Sequence, residues 1–155
     1  MIHLERNLDM NASPEAIWAE IGRYMEIDDF SPYIVSVDAL TDGEDGMGSI
    51  RRNNFDNGSS MVEEVIQWTP NKGYRVRSSE FGSNPMTEMT AELAIKPASK
   101  GKSKMSWSID YRMKYGPLGW LMGQIMVKRF MSKVIDTNLK ALDDKVQSNQ
   151  AAAVH

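Results

Sequence analysis

Gly116-Pro117-Leu118-Gly119 opens the stretch that decides how this chain folds: from Pro117 to Val146 no further Pro occurs, and Gly occurs only at Gly119 and Gly123. Pro fits the first turn of a helix and disrupts its interior, so the stretch predicts one long closing helix of about eight turns. At about 100° per residue, Phe130, Met131, Val134, Ile135, Leu139, Leu142 and Val146 fall on one side. Arg129, Lys133, Asp136, Lys140 and Asp143 fall on the other. That half should lie on a sheet with its back in water. Leu118, Trp120, Leu121, Met122, Ile125, Met126 and Val127 instead surround the axis. The first half must therefore be covered all round, or open onto something apolar that the protein does not supply.

What precedes the helix reads as the sheet it needs. Ile2, Leu4, Leu8 and Met10 alternate with polar residues, the period of a half-buried strand. Ser13-Pro14-Glu15 then starts a helix, with Ser13 as N-cap and Ile17, Trp18 and Ile21 as its apolar stripe. Glu26 to Phe30, before Ser31-Pro32, reads as a second short helix or turn. Six strands follow: Ile34 to Leu40, Ser49 to Phe55, Ser60 to Trp68, Tyr74 to Phe81, Met86 to Ile95 and Met105 to Tyr115. Asn57-Gly58 is the strongest hairpin signal among them. Successive strands joined by short turns are antiparallel neighbours, and a terminal amphipathic helix is the natural cover for one face. The expected fold is α+β: a curved seven-stranded antiparallel sheet wrapped around a long C-terminal helix, with two short helices after the first strand. Residues 1–146 read as one domain and 147–155 as a disordered tail.

This element order carries Trp18 in the first helix, then Phe30-Ser31-Pro32 and the strand entry Gly48-Ser49-Ile50-Arg51. Met61-Val62-Glu63-Glu64-Val65, Ser106-Trp107-Ser108 and Gly116-Pro117-Leu118-Gly119 follow. In this order and spacing, residues 2 to 146 resemble the START-like (SRPBCC) superfamily, in its bacterial polyketide cyclase/dehydrase and lipid-transport branch. The resemblance implies a helix-grip fold around a cavity for an apolar or amphipathic small molecule. It implies no particular reaction.

Strand parity supplies a cavity wall from the residues themselves. Trp107, Ile109, Tyr111 and Met113 share a face with Met105; Met89 and Leu93 share one with Ala91 and Ile95; Tyr74 and Val76 share one with Ser78. Of the 12 Met residues, Met89, Met105, Met113, Met122, Met126 and Met131 fall on this wall or on the helix opposite, where flexible thioethers fill gaps and adapt to ligands. Met122 reads as part of the cavity lining, and Trp120, Leu121 and Ile125 read as a lid over the entrance. In the hairpin parity does not separate polar from apolar. A two-residue loop pairs Arg52 with Glu63 on one face and Arg51 with Glu64 on the other. Ile50, Met61 and Val65 favour an inward Arg52–Glu63 pair, whereas Phe55, Val62, Ile66 and Trp68 favour the alternative. An inward Arg with its Glu would anchor a ligand carboxylate, ketone or hydroxyl.

The totals narrow the function. A net charge of −3, with 18 basic and 21 acidic side chains intermixed, gives no footprint for nucleic acid. Without Cys there is no disulfide, thiolate metal site or cysteine nucleophile. His3 falls on the polar side of the first strand and His155 in the tail, so neither is placed as a general base, and no Ser-His-Asp set can be assembled. Asp28, Asp29, Asp42, Glu44 and Asp45 sit in turns as a solvated acidic group. Neither a metal site nor a cofactor is expected. No apolar run is long enough for a membrane span, so the expected location is cytoplasmic without stable membrane insertion. Gly119 and Gly123 have the spacing of a close contact between the helix and the sheet or a neighbour. The reading is a protein that binds, transports or sequesters a hydrophobic small molecule. One alternative is a polyketide-type cyclase or dehydratase using Glu63, with Tyr74 or Tyr111 as donors. Another is an interaction module, such as a homodimer, formed through Trp120 to Val127.

Overall fold

The computed structural model describes residues 1–43 and 45–154; Glu44, read as part of an acidic turn, and His155, read as part of the tail, lie outside the described residues. The chain runs β1 (Ile2–Met10), α1 (Pro14–Ile21), a 3-10 turn (Tyr24–Asp29), β2 (Ile34–Ala39), β3 (Ile50–Phe55), β4 (Ser60–Thr69), β5 (Gly73–Ser79), β6 (Met86–Pro97) and β7 (Ser103–Met113). It closes with α2 (Gly116–Met122), a π-helical turn (Gly123–Val127) and α3 (Lys128–Val154). The strands form one antiparallel sheet in the order β1-β7-β6-β5-β4-β3-β2. β2 to β7 are joined as consecutive hairpins, and β1 closes on β7 with Ile2 opposite Tyr111 and Leu4 opposite Ile109. β1 and β2 therefore occupy opposite edges. The chain crosses between them through α1 and the 3-10 turn.

Ser13 caps α1 as its position predicts, its Oγ accepting from the Ala16 N–H at 3.2 Å. Ile17 and Ile21 go into the core, and Glu20 goes with them. Its carboxylate accepts from Asn149 Nδ2 at 3.0 Å and lies 3.6 Å from Arg23. Burial, and then the hydrogen bond with Asp29, hold the Glu20 pKa above its ordinary value. A carboxyl group raised in this way stabilises the fold below 4.5, and that contribution is lost as the pH rises through its folded pKa. Glu20→Gln, whose amide keeps the same partners without the charge, is therefore expected to melt above the wild type near neutral pH. The gap should close in acid, as thermal melts across the pH range would show.

α3 lies on the sheet through Ile135, Leu139, Leu142 and Val146, all buried, most of the stripe that the 3.6-residue period marks; Phe130, expected in that stripe, is instead 64% exposed. Arg6 clamps its outer side by two bonds of 2.8 Å to the Asp136 carboxylate. The helix does not end near Val146 but continues to Val154. Residues 147–150 lack an apolar stripe, yet Gln147 donates to the Asn11 carbonyl at 3.1 Å and Asn149 to Glu20. Ala151 to Ala153 then extend the helix by propensity alone.

The first half of the closing helix departs most from an ordinary α-helix. The Lys128 N–H reaches back to the Gly123 carbonyl, which also accepts the Tyr111 hydroxyl at 2.7 Å. A Cβ on Gly119 would stand 1.6 Å from the Lys114 carbonyl oxygen, and one on Gly123 would stand 2.5 Å from Ile2 Cδ1. The two glycines thus seat the helix backbone directly on the sheet, and the side chains between them point away. Trp120 keeps 51% of its surface, and Leu118 and Met126 keep 66% each. Of the two arrangements open to this half, the structure takes the exposed one.

Candidate functional site

The site is set by how the β3–β4 hairpin turns. Gly58 has a positive φ of 85° but Asn57 does not, so the loop cannot be the two-residue type that needs both. It is a three-residue loop, Asp56-Asn57-Gly58, closed by the Phe55 N–H on the Ser59 carbonyl at 2.8 Å. That single extra residue slides the register so that Arg51 faces Glu63, Arg52 faces Val62 and Asn53 faces Met61. The expected Arg52–Glu63 pair is thereby corrected. Arg52 points to the outer side, where it meets Glu80 at 2.8 Å. Arg51, Asn53 and Phe55 share the inner face of β3 with Met61 and Glu63 of β4. A register shift between Val65 and Gln67 also puts Trp68 opposite Tyr74, which is why alternating residues along β4 gave two answers.

Arg51 is 2% exposed. Its Nε and Nη2 donate to Glu63 Oε2 at 3.0 and 2.6 Å, and Nη1 donates to the Tyr24 carbonyl. The guanidinium carbon stands 3.8 Å from the centre of the Tyr24 ring, whose hydroxyl donates to the Glu63 carbonyl at 2.9 Å. Trp68 stacks on Tyr74 at 5.6 Å and meets the edge of Trp18 at 4.8 Å. Burial alone would lower the Arg51 pKa, but the Glu63 charge and the two phenols more than offset it, so the group stays cationic. Burial pushes the phenols of Tyr24 and Tyr74 upward, opposed by the Arg51 charge. The result is a fixed, internally neutralised ion pair.

Beside this pair, between the sheet and α3, lies a cavity of about 100 Å³. Val76, Met89, Leu93, Trp107 and Ile109 form its sheet wall; Met131, Val134, Ile135 and Asn138 form its helix wall; Arg51, Asn53, Glu63 and Tyr74 form its polar end. Asn138 Oδ1 is held by the Ser31 hydroxyl at 2.8 Å. Asn53 Nδ2 donates to Glu63 Oε2 at 3.0 Å, while the buried Asn53 Oδ1 finds no partner among the described residues. A buried acceptor without a donor costs about 1 to 3 kcal/mol, which makes this atom an uncompensated polar point on the cavity wall.

The sequence model of the family described as polyketide cyclase / dehydrase and lipid transport matches residues 1–147. The chain belongs to this family. None of the curated proteins matches it in sequence. Among solved structures, it is similar to protein XoxI from Bacillus cereus, with 20% identity and a TM-score of 0.77 over 97% of this chain and 99% of that one. A START superfamily protein from Mycobacterium smegmatis is similar at 18% identity and a TM-score of 0.72, over 94% and 97% of the two chains. A Thalictrum norcoclaurine synthase point mutant, solved with a transition state analogue, gives 18%, 0.74, and 96% of each chain. At these identities the likeness shows the helix-grip fold alone.

In this member of the polyketide cyclase/dehydrase and lipid transport family, Tyr74, Val76, Met89, Leu93, Trp107 and Ile109 come together as parity placed them, and Glu63, for which parity gave two answers, joins them. Tyr111 and Met113 face inward but lie under the helix start, away from the cavity; Tyr111 spends its hydroxyl on the Gly123 carbonyl. Trp120, Met122 and Met126 face solvent, because Gly119 and Gly123 turn the bare side of the helix to the sheet. The helix wall is built one to three turns later. Sequence reasoning missed Arg51 as the inward partner, and it missed Tyr24, Asn53 and Asn138 altogether. Each is a polar or aromatic side chain where periodicity expects an aliphatic one. The parity match of Arg51 with Phe55 was the signal available for the first.

Proposed function

We propose that the chain binds, and thereby transports or sequesters, an apolar or amphipathic small molecule carrying one neutral hydrogen-bond donor, held between the sheet and α3. The unpartnered Asn53 Oδ1 carries this reading: in a largely apolar cavity it favours a hydroxyl or N–H group over a second acceptor. Arg51 supports neutrality in the ligand, since its charge is already balanced inside the protein by Glu63 at 2.6 Å. Binding without proton transfer is favoured because Glu63 Oε2 already accepts three hydrogen bonds from the protein, two of them from Arg51. Met61, Met89 and Met131 line the space, so a ligand larger than the closed cavity can be admitted by their repacking.

Naphthalene, 2-naphthol and 2-naphthoate test the reading, with affinity followed by fluorescence titration. The full chain is expected to bind 2-naphthol about tenfold more tightly than naphthalene and to bind 2-naphthoate least. Asn53→Leu should retain naphthalene, which shows that it is folded, and lose the preference for the hydroxyl. Equal affinity for the first two compounds in the wild type, or an undiminished preference in Asn53→Leu, would overturn it.

A further inference from the structure

We infer that the open half of the closing helix is a reversible docking surface for anionic phospholipid bilayers. Leu118, Trp120, Leu121, Ile125, Met126 and Phe130 are all exposed, an apolar cluster that a soluble surface does not need. The contacts of Gly119 and Gly123 with β7 and β1, together with the Tyr111 hydroxyl on the Gly123 carbonyl, fix the backbone beneath them. These side chains therefore have no core to withdraw into.

Charge selects the occupant. Arg112, Lys114, Lys128, Arg129 and Lys133 are the only charged residues between Asp110 and Asp136, in a chain whose formal net charge is −3. Arg112 lies 3.5 Å from Glu88; the other four make no ion pair among the described residues. Ile125, Arg129 and Lys133 follow one another at four-residue spacing and so share a face. An interfacial helix lies along the membrane plane with its apolar face buried about 5 to 10 Å. Apolar side chains around Ile125 then reach the acyl boundary while Arg129 and Lys133 remain among the headgroups. A second copy is disfavoured, since a two-fold contact through this patch would set each copy's basic residues close to those of the other. No helix of the described residues is long and apolar enough to cross a membrane, so docking is peripheral.

Co-sedimentation of the full chain with phosphatidylcholine vesicles, with and without phosphatidylserine, tests this independently of what the cavity holds. Binding is expected on the phosphatidylserine vesicles, weakening as salt is raised. Each basic group near an anionic surface is worth about fivefold in affinity, so Arg129→Glu with Lys133→Glu should weaken binding by more than tenfold. Ile125→Ser with Met126→Ser should weaken binding as well, and thermal melts should stay unchanged because all four side chains lie outside the core. Failure to bind, or equal binding to both vesicles, overturns the inference. So does a concentration-dependent dimer in sedimentation velocity that these substitutions dissociate.

Discussion

Arg51→Met is expected to lower the folding free energy by about 3 to 5 kcal/mol, whereas Arg52→Met should cost about 0 to 1. The two residues are adjacent on one strand and carry the same charge, so composition alone would rank them equal. What separates them is burial. Removing Arg51 leaves Glu63 inside the protein with Asn53 as its remaining side-chain partner and leaves the Tyr24 carbonyl without its donor. Removing Arg52 frees Glu80, which is 59% exposed and returns to water. Adding Glu63→Leu to Arg51→Met should recover part of the loss, because an apolar pair costs less than one stranded charge. Urea denaturation of the variants decides the matter. Similar small losses at both arginines would place Arg51 at the surface and dismantle the polar end of the cavity.

The second large effect is expected where the helix meets the sheet. Ala normally stabilises a helix over Gly by about 1 kcal/mol, but Gly119→Ala should destabilise by about 3. Its Cβ would stand 1.6 Å from a backbone oxygen, which cannot swing aside as a side chain can. Gly123→Ala meets Ile2 Cδ1 at 2.5 Å and Met113 Cγ at 2.6 Å, side-chain atoms that can be displaced at about 1 to 2 kcal/mol. Gly116→Ala enters open space, and only its positive φ of 56° resists, at about 1 to 2 kcal/mol. Denaturation midpoints should therefore place Gly119→Ala lowest. If Gly119→Ala were neutral, the helix would stand farther from the Lys114 carbonyl that follows β7, and the exposure of Leu118 to Met126 would lose its cause.

Much of this was legible in the residues, and the gaps have physical reasons. β6 and β7 show clean alternation because each has one wet face and one dry face. Met89, Leu93, Trp107 and Ile109 could thus be assigned to the inside from parity. The stripe Ile135, Leu139, Leu142 and Val146 was equally plain. The β3–β4 hairpin was not, because a loop of two residues and a loop of three differ only in whether Asn57 adopts a positive φ, which the pair Asn57-Gly58 permits either way. That one dihedral exchanges Arg52 for Arg51 at the site. The register shift in β4 compounds it by breaking the alternation between Val65 and Trp68. In the helix, an apolar residue reads the same whether it meets the sheet or the solvent. Gly119 and Gly123 were recognised as allowing close approach, but the sequence does not say that this approach faces Met122 and Met126 outward. Tyr24, Asn53 and Asn138 lay beyond reach for a related reason: a buried polar group is tolerated only through partners far along the chain, and Asn138 finds its own in Ser31.

The central claim is that the space between the sheet and α3 receives a ligand at the Asn53 end, and a crystal structure of the full chain with 2-naphthol tests it most directly. The expected result is the ring system between Trp107 and Met131, with its hydroxyl within hydrogen-bond distance of Asn53 Oδ1 and the Arg51–Glu63 pair unmoved. Naphthol found only on the exposed helix near Trp120, with the inner space closed by side chains, would contradict it.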